Sequence, residues 1–250
     1  MTGRRMMFRE GRFGLAEAIS LTSLIMFNKI FYTSASIIVE ALGTAAWYGT
    51  IISCLTSIVF FLLIYVLMKR FPGMDLVQVF EAVLGKIIGK AVALVFCAYF
   101  IFYAASNLRE FVEMIKAYNL PYTPPSYILG TFLAVTALLA YLGLEAIARL
   151  SYINIFPVIG GLLLILILAY QFYDPHYLTP VLGYGIEKTL ITGFLRSSAY
   201  DEVIVLAFII KSIPGLKNFK KAGLASLALT GFVFVASLLC YLMAFQYSAG

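Results

Sequence analysis

The chain has 250 residues, 62% of them hydrophobic and only 12% charged, whereas charged residues make up about a quarter of an ordinary soluble chain. No water-soluble fold of this size could hide so much apolar surface, so the composition points to an all-α integral membrane protein with the lipid bilayer as its surroundings. The net charge of +6 comes from short basic clusters between apolar stretches, which reads as a topology signal and excludes nucleic acid as the partner.

A membrane span needs about 20 mostly apolar residues. That rule predicts seven transmembrane helices, at 14–38, 44–68, 89–117, 126–142, 151–173, 189–212 and 222–246. One set of alternate connections carries Arg4, Arg5, Arg9, Arg12, Lys69, Arg70, Lys86, Lys90, Arg149, Lys211, Lys217, Lys220 and Lys221. By the positive-inside rule that side is the cytoplasm, so the N-terminus is expected there and the protein in a cell membrane as a multi-pass chain. The first apolar stretch, Gly14 to Val39, is too long for the core of a signal peptide and is expected to remain as a span.

Span one contains Lys29 near its middle. An ionisable group at bilayer depth costs at least ~2.5–3.5 kcal/mol, so it needs a partner, water or a route to the headgroups. Thr22, Lys29, Thr33 and Ser36 follow spacings of seven, four and three, which put them on one helical face. Two readings follow: a stripe lining a cavity, or a lysine that snorkels to the outer surface. The connection after span two starts with Phe71-Pro72-Gly73-Met74-Asp75, where Asp75 can cap a short amphipathic helix at 75–86. That helix lies either in the membrane interface or on the surface of the loop.

In span three, Tyr99, Tyr103, Ser106, Glu110 and Glu113 share a face, with the two tyrosines either packing in the core or walling a site. Glu110 and Glu113 are expected to pair locally with Arg109 and Lys116. The prolines of 118–127 enforce a turn. Glu145 and Arg149, four apart, predict a helical ion pair, structural in one reading and a gate contact in the other. His176, the only histidine, has no second ligand nearby in sequence, and Cys54, Cys97 and Cys240 read as small buried apolar residues.

Span six is interrupted by the run from Thr192 to Glu202, which includes Arg196, Ser197, Ser198, Tyr200, Asp201 and Glu202. So polar a stretch is tolerated at this depth only where it faces protein or water, and irregular backbone is tolerated there too. The chain therefore has either a broken helix here or two shorter elements. There is no phosphate-binding loop, zinc cluster or nucleophile elbow, so neither an enzyme nor a cofactor is expected.

Several phrases in a fixed order extend this reading: Lys69-Arg70-Phe71-Pro72-Gly73; Leu84-Gly85-Lys86-Ile87-Ile88-Gly89-Lys90; Leu108-Arg109-Glu110-Phe111 before Leu120-Pro121-Tyr122-Thr123-Pro124; Gly143-Leu144-Glu145-Ala146-Ile147-Ala148-Arg149; and Leu178-Thr179-Pro180-Val181-Leu182. In these the chain resembles the spore germination permeases, the membrane B subunits of germinant receptors, within the amino acid, polyamine and organocation transporter superfamily. The resemblance implies a LeuT-like inverted-repeat fold of ten helices, of which this chain carries seven and is truncated before the last three. It would place 1–188 in the first five-helix repeat and 189–250 at the start of the second, all within one membrane domain, 1–250.

The same resemblance implies helix breaks around Phe27 to Thr33 and Ser197 to Glu202, A and C receptor subunits as partners, the spore inner membrane as location, and a small nutrient such as an amino acid as germinant. The substrate-binding residues expected on that basis are Asn28, Lys29, Tyr32, Thr33, Tyr99, Tyr103, Ser197, Ser198, Tyr200, Asp201 and Glu202. Two alternatives stand beside a sensing subunit. One is a proton-coupled amino acid transporter; the other is a structural assembly subunit with no ligand site.

Overall fold

The computed structural model describes residues 11–31 and 34–245, with the backbone alone at Ile30, Phe31 and Ser34. Among the described residues all regular structure is helical. The helices are α1 (Leu15–Phe31), α2 (Ser34–Leu42), α3 (Ala46–Arg70), α4 (Leu76–Leu84), α5 (Lys86–Tyr118), α6 (Pro125–Leu142), α7 (Leu144–Leu168), α8 (Ile186–Leu195), α9 (Val205–Phe208) and α10 (Leu216–Ala244), joined in places by 3₁₀ turns.

Among the described residues, five stretches are long and apolar enough to cross a membrane: Ala35–Arg70, Lys86–Tyr118, Pro125–Leu142, Leu144–Phe172 and Leu216–Ala244. They correspond to the second, third, fourth, fifth and seventh predicted spans. The sixth is built from shorter pieces, and α1 is the described part of the first. Helix α1 is described over 17 residues, Leu15–Phe31, about 26 Å at the usual rise. The sixth stretch is α8, then a nine-residue 3₁₀ segment Arg196–Ile204, then the single turn of α9. Serine and aspartate side chains compete with the helical backbone for its own hydrogen bonds, which weakens an α-helix through this run.

The short helix predicted at 75–86 is α4. Asp75 accepts a 2.9 Å hydrogen bond from the Gln78 amide while the Gln78 side chain accepts from the Asp75 amide, a reciprocal cap. Leu76 and Val79 are buried, and Val83 and Leu84 remain exposed. Glycine at 85 takes φ +83°, a turn that L side chains resist, and so lets α4 fold back on α5 within one residue. Gly89 then lies so close to Glu81 that a Cβ would meet its backbone at 2.6 Å.

Around α1 pack α7, α10 and the 3₁₀ segment; α3 packs on α10, α8 and the same segment. The seam between α3 and α10 depends on small residues, as is usual between membrane helices. A Cβ at Gly223 would fall 1.9 Å from the Phe61 ring, and one at Gly231 2.4 Å from Cys54 Sγ. Helices α5, α6 and α7 form the outer side, with Phe102, Tyr141 and Ile167 widely exposed, a surface compatible with hydrocarbon but not with water. Cys97 lies on this outer side and is exposed, in contrast to the expectation of burial, whereas Cys54 and Cys240 are partly buried.

The remaining local expectations concern surface pairs. Arg149 reaches Glu145 at 2.5 Å and Arg109 reaches Glu113 at 3.0 Å, both one helical turn apart. Helix α7 starts at Leu144, directly after Gly143, so the Glu145–Arg149 pair belongs to its first turns and the fifth predicted span begins earlier than 151. His176 lies in a 3₁₀ turn capped by the Asp174 side chain.

Candidate functional site: an ion cluster between α1 and a 3₁₀ segment

Lys29 is in the last described turn of α1. Its Nζ donates to the backbone carbonyls of Ala199 (2.8 Å) and Ser198 (3.2 Å) and lies 2.9 Å from the Glu202 carboxylate and 3.3 Å from Asp201 Oδ1. The 3₁₀ segment thus presents carbonyls as well as acidic side chains to the ammonium. Glu202 is 4% exposed in its side chain, Lys29 17% and Asp201 35%, so the Lys29–Glu202 pair is shielded while Asp201 borders open space.

From α5, Tyr99 donates its hydroxyl to Asp201 and Tyr103 donates to Glu202. Their rings stack at 6.2 Å, and the Tyr103 ring also faces Lys29 Nζ at 5.7 Å, within reach of a cation–π attraction. Tyr99 and Tyr103 therefore bring this face of α5 against the ion cluster. Each carboxylate is held by one tyrosine and by the lysine, which is how a charge in a membrane protein is expected to be accommodated.

The segment is fixed from its other side by α3. Ser53 Oγ lies 2.7 Å from the Gly193 carbonyl and 3.0 Å from that of Gly49; Ser57 Oγ lies 3.0 Å from the Ser197 carbonyl and 2.9 Å from that of Ser53. These hydroxyls serve carbonyls near the end of α8 that a continuing α-helix would have paired internally. A Cβ at Gly193 would come within 3.0 Å of Gly49 O and Ile52, so the glycine permits this close approach.

Two cavities flank the cluster. A narrow one of about 50 Å³ is bordered by Lys29, Thr50, Ser53, Arg196, Ala199 and Tyr200 among others, space for a water or two. The wider, about 290 Å³ and open on one side, is lined by Lys29, Tyr99, Tyr103, Arg196, Ser198, Ala199 and Asp201. Its size is at the lower end of small-molecule pockets, which run from about 300 Å³.

Of the residues singled out from sequence, the fold brings together Lys29, Tyr99, Tyr103, Ser198, Asp201 and Glu202. Ser197 takes part through its carbonyl. Tyr200 is fully buried and turns the other way, with its ring 5.4 Å from Phe234 of α10. Asn28 is half-buried and contributes no hydrogen bond to the cluster among the described residues. Tyr32 and Thr33 lie outside the described residues. Thr22, from the predicted stripe, bonds back to Ala18 of its own helix. Sequence reasoning missed Ser53, Ser57 and the cavity-lining role of Arg196, although Gly49, Thr50, Ser53 and Ser57 do form a small, polar face at helical spacing.

A family model described as spore germination protein matches residues 15–249. The chain belongs to the spore germination protein family. It is similar to spore germination protein KB of Bacillus subtilis strain 168, 25% identical over 222 residues that make up 86% of this chain and 60% of that protein. Spore germination protein A2 of the same organism is 30% identical over 182 residues, 72% of this chain and 50% of A2. GerQB of Bacillus cereus matches more briefly, 24% identical over 116 residues. The chain thus spans 50–60% of the length of the first two relatives. No solved structure matches it significantly. Family membership and the apolar helices together make it a multi-pass membrane protein of spore germination.

Proposed function

We propose that the chain is the membrane subunit of a spore germinant receptor and that it detects a small nutrient, such as an amino acid, in the cavity beside Lys29, Asp201 and Glu202. The observation that carries this reading is the ion cluster itself. A charged side chain from the end of α1 and two from a 3₁₀ segment meet next to a 290 Å³ cavity, an arrangement that costs too much in a membrane to persist as filler. An interrupted helix of this kind, packed against a neighbouring span, is how transporter-like folds expose backbone groups to a ligand.

In this proposal the seven stretches form a LeuT-like arrangement with the N-terminus in the cytoplasm. Helix α1 contributes the first span, and α8, the 3₁₀ segment and α9 make a discontinuous sixth. The ligand would bias the bundle between two arrangements, and A and C receptor subunits in the spore inner membrane would read the change. Names such as KB and A2 support a role in germination, and the cluster's geometry supports a polar ligand. The test is equilibrium binding of candidate amino-acid germinants to the wild-type chain, Lys29→Met and Asp201→Asn. A changed affinity is expected in both, a loss in Asp201→Asn, and unchanged affinity in both removes the site.

A second reading, a proton-coupled amino acid transporter, draws on the contiguous run of exchangeable protons from Lys29 through the carboxylates to Tyr99 and Tyr103. Uptake of labelled amino acid into proteoliposomes under a pH gradient decides between the two, since a sensing subunit accumulates none.

A further inference from the structure

We propose that the oxygen cage around Lys29 Nζ is a binding site for a primary ammonium group, filled here by the protein's own lysine and open to a ligand's ammonium when Lys29 withdraws. The inference rests on the ligand-site reading above and adds to it the chemical group that is recognised.

Four oxygens surround the nitrogen: the carbonyls of Ser198 and Ala199, and the carboxylates of Asp201 and Glu202. All are acceptors, so the cage has no means of binding an anion. The distances, 2.8 to 3.3 Å, fall mostly in the N–H···O range, about 2.7–3.2 Å, and well outside the roughly 2.0–2.6 Å of oxygen around magnesium or calcium. The ring face of Tyr103 at 5.7 Å supplies a further cation-selective contact.

Charge and space point the same way. An ammonium has three N–H donors, and the cage offers more acceptors than that, with two carboxylates against one lysine. When Lys29 leaves, two fixed negative charges and two carbonyls remain aimed at one point. Lys29 is also part of the wall of both the 50 Å³ and the 290 Å³ cavities. Its flexible stem has somewhere to go, and the remainder of an incoming amine has the wider cavity to occupy. An α-amino acid carries such a group, so its ammonium would take the place of Nζ, making Lys29 a tethered competitor.

The experiment truncates the tether and supplies the missing piece. Lys29→Ala removes Cγ, Cδ, Cε and Nζ, the heavy atoms of n-propylammonium. The thermal midpoint of the purified full chain in detergent is measured for wild type and Lys29→Ala, each titrated with n-propylammonium, n-propanol, tetramethylammonium and potassium chloride at matched ionic strength. The expected result is that n-propylammonium recovers most of the midpoint lost in Lys29→Ala, leaves wild type almost unmoved, and is not matched by the other three. Equal shifts in wild type and variant, or a response to potassium or tetramethylammonium as large as that to the amine, overturn the proposal.

If Lys29→Ala yields no folded chain by itself, the same comparison is read as the yield of monodisperse protein purified throughout in each compound. Rescue by the amine alone supports the cage; equal yields in all four overturn it. Failure here with amino-acid binding retained by wild type defeats the cage and leaves the ligand site standing. Amine rescue with no amino-acid binding by wild type defeats the nutrient reading and leaves the cage.

Discussion

Replacing Lys29 with methionine keeps the side-chain bulk and removes the charge. Glu202, 4% exposed, and Asp201, 35% exposed, then face each other with two carbonyls and no ammonium between them. Removing one partner of a buried ion pair leaves an uncompensated charge and costs about 3–5 kcal/mol. For a chain of this size each kcal/mol moves the thermal midpoint by about 2–4 °C, so the expected drop is roughly 6–20 °C. The opposite neutralisation is mild: Asp201→Asn leaves the Lys29–Glu202 pair intact, and Asp201 is exposed enough for solvent to screen it, so the change is within about 1 kcal/mol. Combining Lys29→Met with Glu202→Gln removes the stranded shielded charge and recovers part of the loss. The assay is thermal unfolding of purified variants in detergent, completed as a double-mutant cycle. A Lys29→Met midpoint no lower than that of Asp201→Asn, or a double variant no more stable than Lys29→Met, refutes the reasoning that the lysine holds α1 to the 3₁₀ segment.

Three further outcomes are expected. Tyr103→Phe removes the hydroxyl donor to Glu202 and costs about 1.5–3 kcal/mol, the range for a hydrogen bond to a charged group; a midpoint within error of wild type contradicts the contact. Gly223→Ala drives a methyl into the Phe61 ring and costs about 1–3 kcal/mol, partly recovered by Phe61→Leu, and additivity of the two changes would contradict the packing of α3 on α10. Asp75→Ala removes both the cap of α4 and a 2.6 Å bridge to Lys211, at about 1–2 kcal/mol for the cap alone. Hydrogen exchange should accelerate in α4 and near Lys211 together, and unchanged protection in both regions would contradict the link.

Much of the outline was legible because hydrocarbon is a strict solvent. Uniform apolar runs announced α3, α5, α6, α7 and α10, and Asp75 with the Phe71-Pro72-Gly73 turn announced α4. Lys29 and the Asp201-Glu202 pair stood out because charge in an apolar run needs a partner, and the two anomalies turned out to be each other's partners. What stayed hidden depends on direction and depth. Spacing placed Tyr99 and Tyr103 on one face without saying whether that face met lipid, core or cavity. It did not show that Tyr200 turns toward Phe234 while its neighbours Ala199 and Asp201 meet Lys29, because a 3₁₀ segment rotates side chains by a different angle from an α-helix. Ser53 and Ser57 escaped notice because serine is common in membrane helices, and its value here arises only from contact with carbonyls on another segment 140 residues away.

The central claim, that a small nutrient occupies the cavity beside the cluster, is tested most directly by protection of a residue in its wall. Ser198 is exposed there. With Cys54, Cys97 and Cys240 replaced by serine, a single Ser198→Cys variant is treated with a small methanethiosulfonate reagent in the presence and absence of saturating amino-acid germinant. The account predicts that the germinant slows modification several-fold, and that a non-germinant amino acid of the same charge does not. Identical rates under all three conditions, in a variant that still binds germinant, would place the ligand elsewhere.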